Sequence, residues 1–404
     1  MEKFTIVIPT RNNVNTLKHT ISTCLRQDYP NFEIIISDNC SNDGTFEMVN
    51  SIKDDRIKYI KTPKSLSMTE NFEFALSNTS DGFISFIGAD DGLMPDAINY
   101  VNKIITQYKV KSVCCQYAFY YWPDVPLVEK GKLILNGLGI YKNGVELRNA
   151  SEWVQKTIDF KTAQYVCELP SLYYGFIHKS VIEKSMKNGK YYHSITPDAY
   201  SAFATSLNID EYAFSYTPFC IAGISGRSNG LSQSLDGEVA QKFLIENAHP
   251  IHKDFVFSPA HEVILGEAFF QARDVFPEKC KGLNFNVRLM LKKALLSAGT
   301  NNPVSEKVIS SAKLMAEMHE INFSDIATSK KDKLYRVLFL MKKSFLDFLS
   351  NPRWVVGMRN STDFNIKNID EASTALGVMA NLNSRKKYEK TFNLLFERVI
   401  KRLS

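Results

Sequence analysis

The first ninety residues of this 404-residue chain alternate between short apolar segments and helical segments, and each apolar segment ends in a polar cluster. Continuous apolar runs of this length are typical of strands in a parallel sheet that is covered on both faces. The alternation predicts a right-handed α/β layer with its polar clusters at the carboxyl edge, where such sheets bind ligands. The apolar segments are Phe4–Ile8, Phe32–Ser37, Arg56–Ile60 and Phe83–Ile87.

The last of these strands is followed by two adjacent carboxylates, Asp90 and Asp91, with no basic residue beside them in the sequence. Two neighbouring carboxylates repel each other unless a positive charge is bound between or beside them. Carboxylate oxygens are hard ligands that suit Mg²⁺ or Mn²⁺, and these ions complete their shell with water and substrate phosphates. The pattern therefore indicates a divalent-metal site, although an acidic turn at the end of a strand would look the same.

Composition and missing motifs exclude several other classes of protein. The chain is 44% hydrophobic and 23% charged, which predicts a sizeable core and two domains. No apolar run approaches the ~20 residues that cross a bilayer, and the amino terminus enters a strand without a signal sequence. Seven scattered cysteines lack C-x-x-C spacing, so we expect a reduced, cytoplasmic protein. A G-x-G-x-x-G or P-loop phosphate site is absent, and nothing predicts a nucleic-acid partner.

Three motifs together resemble the inverting glycosyltransferases of family 2, which have the GT-A fold. They are V-I-P-T-R-N-N, I-I-I-S-D-N-C-S-N-D-G-T and F-I-G-A-D-D-G-L-M-P, and the resemblance runs from about Thr5 to Ser232. It implies transfer of a sugar from a nucleotide donor, such as a UDP-sugar, to a glycan or lipid-linked acceptor in bacterial surface polysaccharide synthesis. The sequence departs from the common D-x-D motif at Gly88.

The resemblance also implies roles for residues before and after the acidic pair. Pro9, Thr10 and Arg11 would line the nucleotide pocket, Asp38 would bind the base, Asp90 the ribose and Asp91 the metal. Further along, Gly175 would border the donor sugar, and Asp198 after Thr196-Pro197 would be the catalytic base, with His193 as the alternative. An Asp in the first turn of a helix also has an ordinary explanation as a capping residue.

Two other stretches suggest contacts with the substrates. The loop that contains Arg227 and Ser228 combines glycines, hydroxyls and a guanidinium, which are the groups that hold a diphosphate. A simple flexible loop has the same composition. The strand predicted over Lys111–Tyr121 is rich in aromatic residues, and Tyr121 and Trp122 at its end are candidates for stacking on a sugar acceptor.

The strand pattern ends near Leu244, so we predict a catalytic domain over 1–243 and a helical domain over 244–404. Amphipathic spacing predicts helices in the second domain over 260–272, 287–298, 305–318, 333–349, 371–382 and 386–403. Residues 330–404 contain 16 Lys or Arg against 7 Asp or Glu, and the aromatic residues between them favour a peripheral contact with anionic lipid. A solvated basic face explains the charge equally well. Two rival functions stay open: a sugar-phosphate nucleotidyltransferase and a non-catalytic carbohydrate-binding relative.

Overall fold

The computed structural model describes residues 1–125, 131–135, 143–162, 168–228, 246, 249–298, 303–326, 358–360 and 366–384. Its strands are β1 (Phe4–Thr10), β2 (Phe32–Asp38), β3 (Ile57–Lys61), β4 (Phe83–Phe86), β5 (Gly92–Leu93), β6 (Ser112–Cys115), β7 (Ala118–Tyr121), β8 (Lys132–Ile134), β9 (Val145–Asn149), β10 (Phe176–His178), β11 (Glu211–Ser215), β12 (Cys220–Ile224) and β13 (Met358–Asn360). Its α-helices are α1 (Val14–Leu25), α2 (Thr45–Ser51), α3 (Met68–Ser77), α4 (Ala97–Tyr108), α5 (Ala150–Ile158), α6 (Lys179–Lys184), α7 (Pro197–Ser206), α8 (His261–Val275), α9 (Val287–Ser297), α10 (Pro303–Met318), α11 (Phe323–Ile326) and α12 (Ile369–Ser384).

The larger sheet has eight strands in the order β3-β2-β1-β4-β10-β6-β11-β9. The four amino-terminal strands β1 to β4 are mutually parallel, whereas β10 is antiparallel to both of its neighbours. Because the parallel strands end at one edge, the polar residues that follow β1, β2 and β4 lie on the same side of the sheet. The predicted α/β architecture is confirmed.

Polar side chains fix where the helices near this edge begin. The Ser67 hydroxyl and the Glu70 carboxylate form a reciprocal capping box at the start of α3. The Asp43 carboxylate accepts the backbone N–H of Val14, the first residue of α1, at 2.9 Å and that of Thr45, the first residue of α2, at 3.2 Å. Asp43 therefore has a structural role at the start of both helices.

A second, smaller sheet has the order β13-β8-β7-β12-β5 and begins directly after the acidic pair. The single strand predicted over Lys111–Tyr121 is two strands, because β6 joins the large sheet and β7 the small one. The chain crosses between the sheets at Gln116, whose backbone N–H is bonded to the Ser215 carbonyl. Apolar periodicity does not reveal such a crossing, since both halves are buried.

Helices cover both faces of the large sheet. One core packs α1 and α4 against it, and the other packs α3, α5 and α7 together with α8, α9 and α10. The Phe203 and Phe269 rings, on α7 and α8, meet edge to face at 5.3 Å. The helices expected over 260–272, 287–298, 305–318 and 371–382 are confirmed with small shifts at their ends.

The carboxyl-terminal part of the chain packs against the amino-terminal part. Strand β13 pairs with β8, and α12 packs on α1 and the small sheet. The predicted boundary at 243/244 stays a prediction. The helices predicted over 333–349 and 386–403, and with them most of the proposed lipid-facing surface, lie outside the described residues. Among the helices that the structure describes, none has the length and apolar character to cross a membrane.

Candidate functional site

The Asp91 carboxylate is the most completely bonded group at the carboxyl edge of the sheet, and its residue is 1% exposed. Its Oδ2 accepts hydrogen bonds from the Tyr173 hydroxyl at 2.8 Å and from the Gly88 N–H. Its Oδ1 accepts from the Tyr174 hydroxyl and the Gly223 N–H, each at 2.8 Å. Four donors match the acceptor capacity of an ionised carboxylate. Asp91 thus ties the loop after β4 to the segment before β10 and to β12.

Burial raises the pKa of the Asp91 carboxyl to about 7, and repulsion from Asp90 adds to the rise. The four donors act in the opposite direction, because hydrogen bonds to a carboxylate favour its charged form. Tyr174 reaches Asp91 from a left-handed backbone conformation with φ of 66°. Such a conformation is costly for a large side chain and persists where the surrounding contacts impose it.

Asp90 faces the other way, toward the loop after β12. Its Oδ2 accepts hydrogen bonds from the hydroxyls of Ser225, at 2.7 Å, and Ser228. The Asp90 carbonyl accepts the Trp122 indole N–H at 3.0 Å. Burial raises the pKa of the Asp90 carboxyl as well. Both hydroxyl donors reach one oxygen, and the other oxygen, Oδ1, lies toward Gly88.

Three oxygen atoms converge beside Gly88. A side-chain Cβ at this position would stand 2.7 Å from the Tyr173 hydroxyl, 2.8 Å from Asp91 Oδ2 and 3.1 Å from Asp90 Oδ1. These are hard ligands of the kind that Mg²⁺ and Mn²⁺ take. The described residues contain no cluster of three His, Cys, Asp or Glu that could hold a metal ion. An ion here would take few ligands from the protein, which is usual for Mg²⁺ beside substrate phosphates. The site fits such an ion, with Asp90 Oδ1 and Asp91 Oδ2 as its carboxylate oxygens.

The predicted nucleotide-binding residues lie around the ends of β1 and β2. Asp38 is fully buried, and its carboxylate accepts the Ser41 N–H at 2.8 Å and the Tyr59 hydroxyl. Thr10 is 3% exposed, and its hydroxyl has no hydrogen-bond partner in the described part of the chain. A buried hydroxyl without a partner is an available contact for a ligand or a water.

Two arginines flank this edge. The half-buried Arg11, next to Pro9 and Thr10, forms an ion pair of 2.8 Å with Glu246. The exposed Arg227 donates to the Asn12 carbonyl at 2.6 Å. That contact brings the loop 225–228 across the end of β1, so Arg227 and Ser228 lie between the acidic pair and the predicted nucleotide pocket.

The segment Ser171–Gly175 connects the acidic pair with the start of α7. The Ser171 hydroxyl donates to the Asp198 carbonyl at 3.0 Å and accepts the Tyr173 N–H at 3.1 Å, and the Tyr173 side chain reaches Asp91. The sequence reasoning overlooked Tyr173 and Tyr174. The signal that would have found them is a pair of tyrosines in an apolar segment, because a buried phenol needs a polar partner.

The structure shows why position 175 is a glycine. A Cβ at Gly175 would stand 2.2 Å from the Ser171 carbonyl oxygen and 3.1 Å from that of Val113. The close approach that glycine permits is therefore with the chain's own backbone, and the expected position of Gly175 beside the donor sugar stays a prediction.

Asp198 is the second residue of α7, and its side chain is exposed. Desolvation by the surrounding protein nevertheless raises the pKa of this carboxyl, while hydrogen bonds from backbone N–H groups, that of Ala199 first, oppose the rise. An accessible carboxyl with a raised pKa is what a general base at a cleft needs. The Thr196 side chain does not cap α7. The ring of the alternative base, His193, lies 5.8 Å from the Tyr200 ring at a tilted angle and approaches the Lys190 carbonyl at 3.2 Å.

The two aromatic candidates for acceptor binding differ in exposure. The Tyr121 side chain is half-buried at the end of β7. Trp122 is 6% exposed, packs against Tyr120 and His19, and uses its N–H on the Asp90 carbonyl. Its ring has little surface to offer a sugar, and its visible role is to fix the backbone at Asp90.

The amino-terminal part of the chain is similar to known glycosyltransferases. The model of "Glycosyl transferase family 2" matches residues 5–195. The chain is similar to a UDP-Glc:alpha-D-GlcNAc-diphosphoundecaprenol beta-1,3-glucosyltransferase of Escherichia coli, at 36% identity over 22% of this chain and 36% of the relative. It is also similar to a GalNAc(5)-diNAcBac-PP-undecaprenol beta-1,3-glucosyltransferase of Campylobacter jejuni, at 32% identity over 24% of this chain and 33% of the relative.

The chain thus spans about a third of the length of each of these curated relatives. Among solved structures, S. aureus TarS 1–349 in complex with UDP-GlcNAc aligns over 80% of this chain and 88% of its own, with a TM-score of 0.45 and 16% identity.

Proposed function

Residues 5–195 form a domain of glycosyl transferase family 2, and on that premise we propose that the protein transfers a sugar from a nucleotide-diphosphate donor to a hydroxyl group of a lipid-linked acceptor. The observation that carries the proposal is the pairing of Asp90 and Asp91 at the carboxyl edge of the sheet, linked through Ser171–Tyr173 to the helix that presents Asp198. A donor site and a base are the two parts that such a transfer requires.

On the donor side, Thr10, Arg11 and Asp38 belong to the nucleotide pocket at the ends of β1 and β2. Arg227 and Ser228 approach the diphosphate from the loop after β12, since a guanidinium and a hydroxyl both donate to phosphate oxygens. Asp90 would hold Mg²⁺ or Mn²⁺. Asp91 would fix the position of Asp90 through the hydrogen bonds that its own carboxylate accepts. When bound, the ion supplies positive charge to the leaving diphosphate.

On the acceptor side, Asp198 removes the proton from the attacking hydroxyl group. The carboxylate is exposed, and desolvation raises its pKa, which makes it a stronger base. One displacement at the anomeric carbon inverts its configuration. His193 lies in the same loop and is the second candidate for this proton.

The names of the relatives suggest the substrates. Both act on undecaprenol-linked diphosphate sugars, and both are glucosyltransferases. We therefore propose a UDP-sugar donor, with UDP-glucose tested first, and an acceptor sugar on a polyprenyl diphosphate, as in the synthesis of bacterial surface polysaccharides. Such an acceptor would bring the protein to the inner surface of the membrane as a peripheral protein.

The test is a transfer assay on the full chain with UDP-glucose, UDP-GlcNAc and GDP-mannose, each with a GlcNAc-diphosphate-prenol of short chain and Mn²⁺, followed by mass spectrometry of the lipid product. We expect one sugar to be added from one donor. Asp198→Asn should bind UDP as the wild type does, but its transfer rate should fall by at least about 10²-fold. The matched control is Asp81→Asn, at an exposed turn before β4, which should transfer normally.

Two results would contradict the proposal. Formation of a nucleotide sugar from a sugar phosphate and a nucleoside triphosphate would identify a nucleotidyltransferase. Binding of nucleotide sugars without transfer or hydrolysis of any donor would identify a non-catalytic relative. If Asp198→Asn transfers sugar normally, the proposed reaction stands but Asp198 is not its base. His193→Ala would then be the variant that loses activity.

A further inference from the structure

Helix α12 lies at 369–384, far beyond the family-matched segment 5–195, yet it is attached to helix α1 of that segment. Arg26 at the end of α1 forms an ion pair of 2.6 Å with Asp370 and donates to the Thr374 hydroxyl at 2.6 Å. The Ser22 hydroxyl donates to the same Asp370 carboxylate at 3.0 Å. These contacts fix the register of α12 along α1.

One face of α12 then contacts the residues that directly follow Asp91. The Ser373 hydroxyl, which is fully buried, donates to the Leu93 carbonyl at 2.7 Å. The Ile369 Cγ1 atom lies 2.9 Å from where a Cβ on Gly92 would stand. The Pro95 Cγ atom lies 2.7 Å from where a Cβ on Gly377 would stand.

The contacting positions 369, 373 and 377 are four residues apart, so they lie one above another along a single helix face. They meet positions 92, 93 and 95 in the same order. A continuous strip of α12 therefore covers the chain from Gly92 to Pro95 with no room for an added methyl group at either glycine.

The other side of this segment is held by α1. The Thr20 hydroxyl lies within hydrogen-bond distance of the Ala89 carbonyl, at 3.0 Å, and the Asp91 carbonyl, at 2.7 Å. The Thr23 hydroxyl accepts the Leu93 N–H at 3.1 Å. Both backbone groups of Leu93 are thus bonded to side chains, one from α1 and one from α12. We define residues 89–95 as the acidic loop, which lies clamped between these two helices.

We propose that α12 is a positioning element of the donor site, and that Ile369, Ser373 and Gly377 hold the acidic loop in the geometry that Asp90 and Asp91 require. The donor-binding role of the acidic loop rests on the proposed function. Second-layer contacts of this kind set the orientation of metal-binding carboxylates, and their loss costs about 10–100-fold in metal affinity. The carboxyl-terminal segment is then part of the catalytic unit and not a separable accessory.

The experiment uses a clash and its relief in the full chain. Gly377→Ala places a methyl group against Pro95, and Pro95→Ala removes the atoms it meets. We expect Gly377→Ala to raise the Kd for UDP with Mn²⁺ about tenfold, measured by calorimetry, and the double variant Gly377→Ala/Pro95→Ala to return close to the value of Pro95→Ala alone. Val378→Ala, at a neighbouring position that is 53% exposed, is the matched control and should bind UDP normally.

A helix that only stabilises the fold gives another pattern. In that case Gly377→Ala lowers the melting temperature while the Kd for UDP stays at the wild-type value, and this result overturns the proposal. If Gly377→Ala does not fold, Ser373→Ala removes one hydrogen bond without adding volume and is judged by the same Kd.

Hydrogen exchange separates this inference from the proposed function. Amides of the acidic loop should exchange faster in Gly377→Ala and Ser373→Ala than in the wild type, and this readout needs no ligand. A wild-type protein that binds no nucleotide, with faster exchange in the variants, would refute the proposed function and keep the role of α12 as a clamp. Unchanged exchange in both variants would refute the clamp.

Discussion

Replacing Asp91 by Asn tests whether this carboxylate is a structural centre or the metal ligand that the sequence predicted. The carboxylate accepts two hydrogen bonds on each oxygen, from Tyr173 and Gly88 on one and from Tyr174 and Gly223 on the other. An Asn side chain keeps one acceptor oxygen and puts an NH₂ group in place of the other. Two donors therefore keep their partner, and two face another donor.

The expected loss of stability follows from those two bonds. A hydrogen bond to a charged group contributes about 1.5–3 kcal/mol, so two lost bonds cost about 3–6 kcal/mol. Removing a buried charge beside Asp90 offsets part of this cost, and we expect the free energy of unfolding to fall by about 2–4 kcal/mol. Asp90→Asn is the control. Both of its hydroxyl donors reach one oxygen, which an amide carbonyl can replace, so its cost should stay below about 1 kcal/mol.

The assay pairs urea unfolding with Mn²⁺ binding in the presence of UDP, followed by electron paramagnetic resonance. We expect Asp91→Asn to lose stability, and Asp90→Asn to keep its stability and lose Mn²⁺ binding. The reasoning is refuted if Asp91→Asn unfolds at the wild-type urea concentration and loses Mn²⁺. Asp91 would then be the metal ligand after all, and the four donors would be partners that the ion displaces.

Three further predictions address neighbouring groups. Desolvation raises the pKa of Asp198, and a base must be deprotonated to act. The plot of kcat/KM against pH should therefore fall on its acid side at a pH above the ordinary Asp pKa of about 4. A fall at or below that pH would argue against this base. Restoring the family carboxylate by Gly88→Asp should lower the melting temperature and abolish transfer, because its Cβ would stand 2.7 Å from the Tyr173 hydroxyl and 2.8 Å from Asp91 Oδ2. Ser65→Asp, at an exposed loop position, controls for the added charge and should change neither. Ser225→Ala removes one of the two hydroxyl donors to Asp90 Oδ2 and should weaken Mn²⁺ binding about tenfold with the Kd for UDP alone unchanged, whereas unchanged Mn²⁺ affinity would show that this hydroxyl does not orient Asp90.

Much of the fold was predictable because local patterns determine it. Continuous apolar runs identified β1, β2 and β4, and the polar residues after them marked the carboxyl edge. The helices of 261–318 followed from amphipathic spacing. The division of Lys111–Tyr121 between two sheets was not predictable, since it depends on pairing with β11 and β12, about a hundred residues later.

Long-range contacts also explain what was missed at the site. A Cβ at Gly175 would stand 3.1 Å from the Val113 carbonyl oxygen, and the buried Trp122 donates its N–H to the Asp90 carbonyl. Neither of these partners is visible in the local sequence. The acidic loop likewise depends on α12, which is nearly three hundred residues away and outside the family resemblance.

The acidic pair illustrates the limit most clearly. Asp90 and Asp91 are adjacent and chemically identical, so a sequence motif can mark the pair but cannot say which member faces the ligand. Asp91 begins the turn into β5, whose pairing with β12 places the Gly223 N–H against its carboxylate. The preceding residue is then directed to the other side, toward the loop 225–228. The pairing of one two-residue strand therefore separates a carboxylate with donors on both oxygens from one whose two hydroxyl donors share a single oxygen.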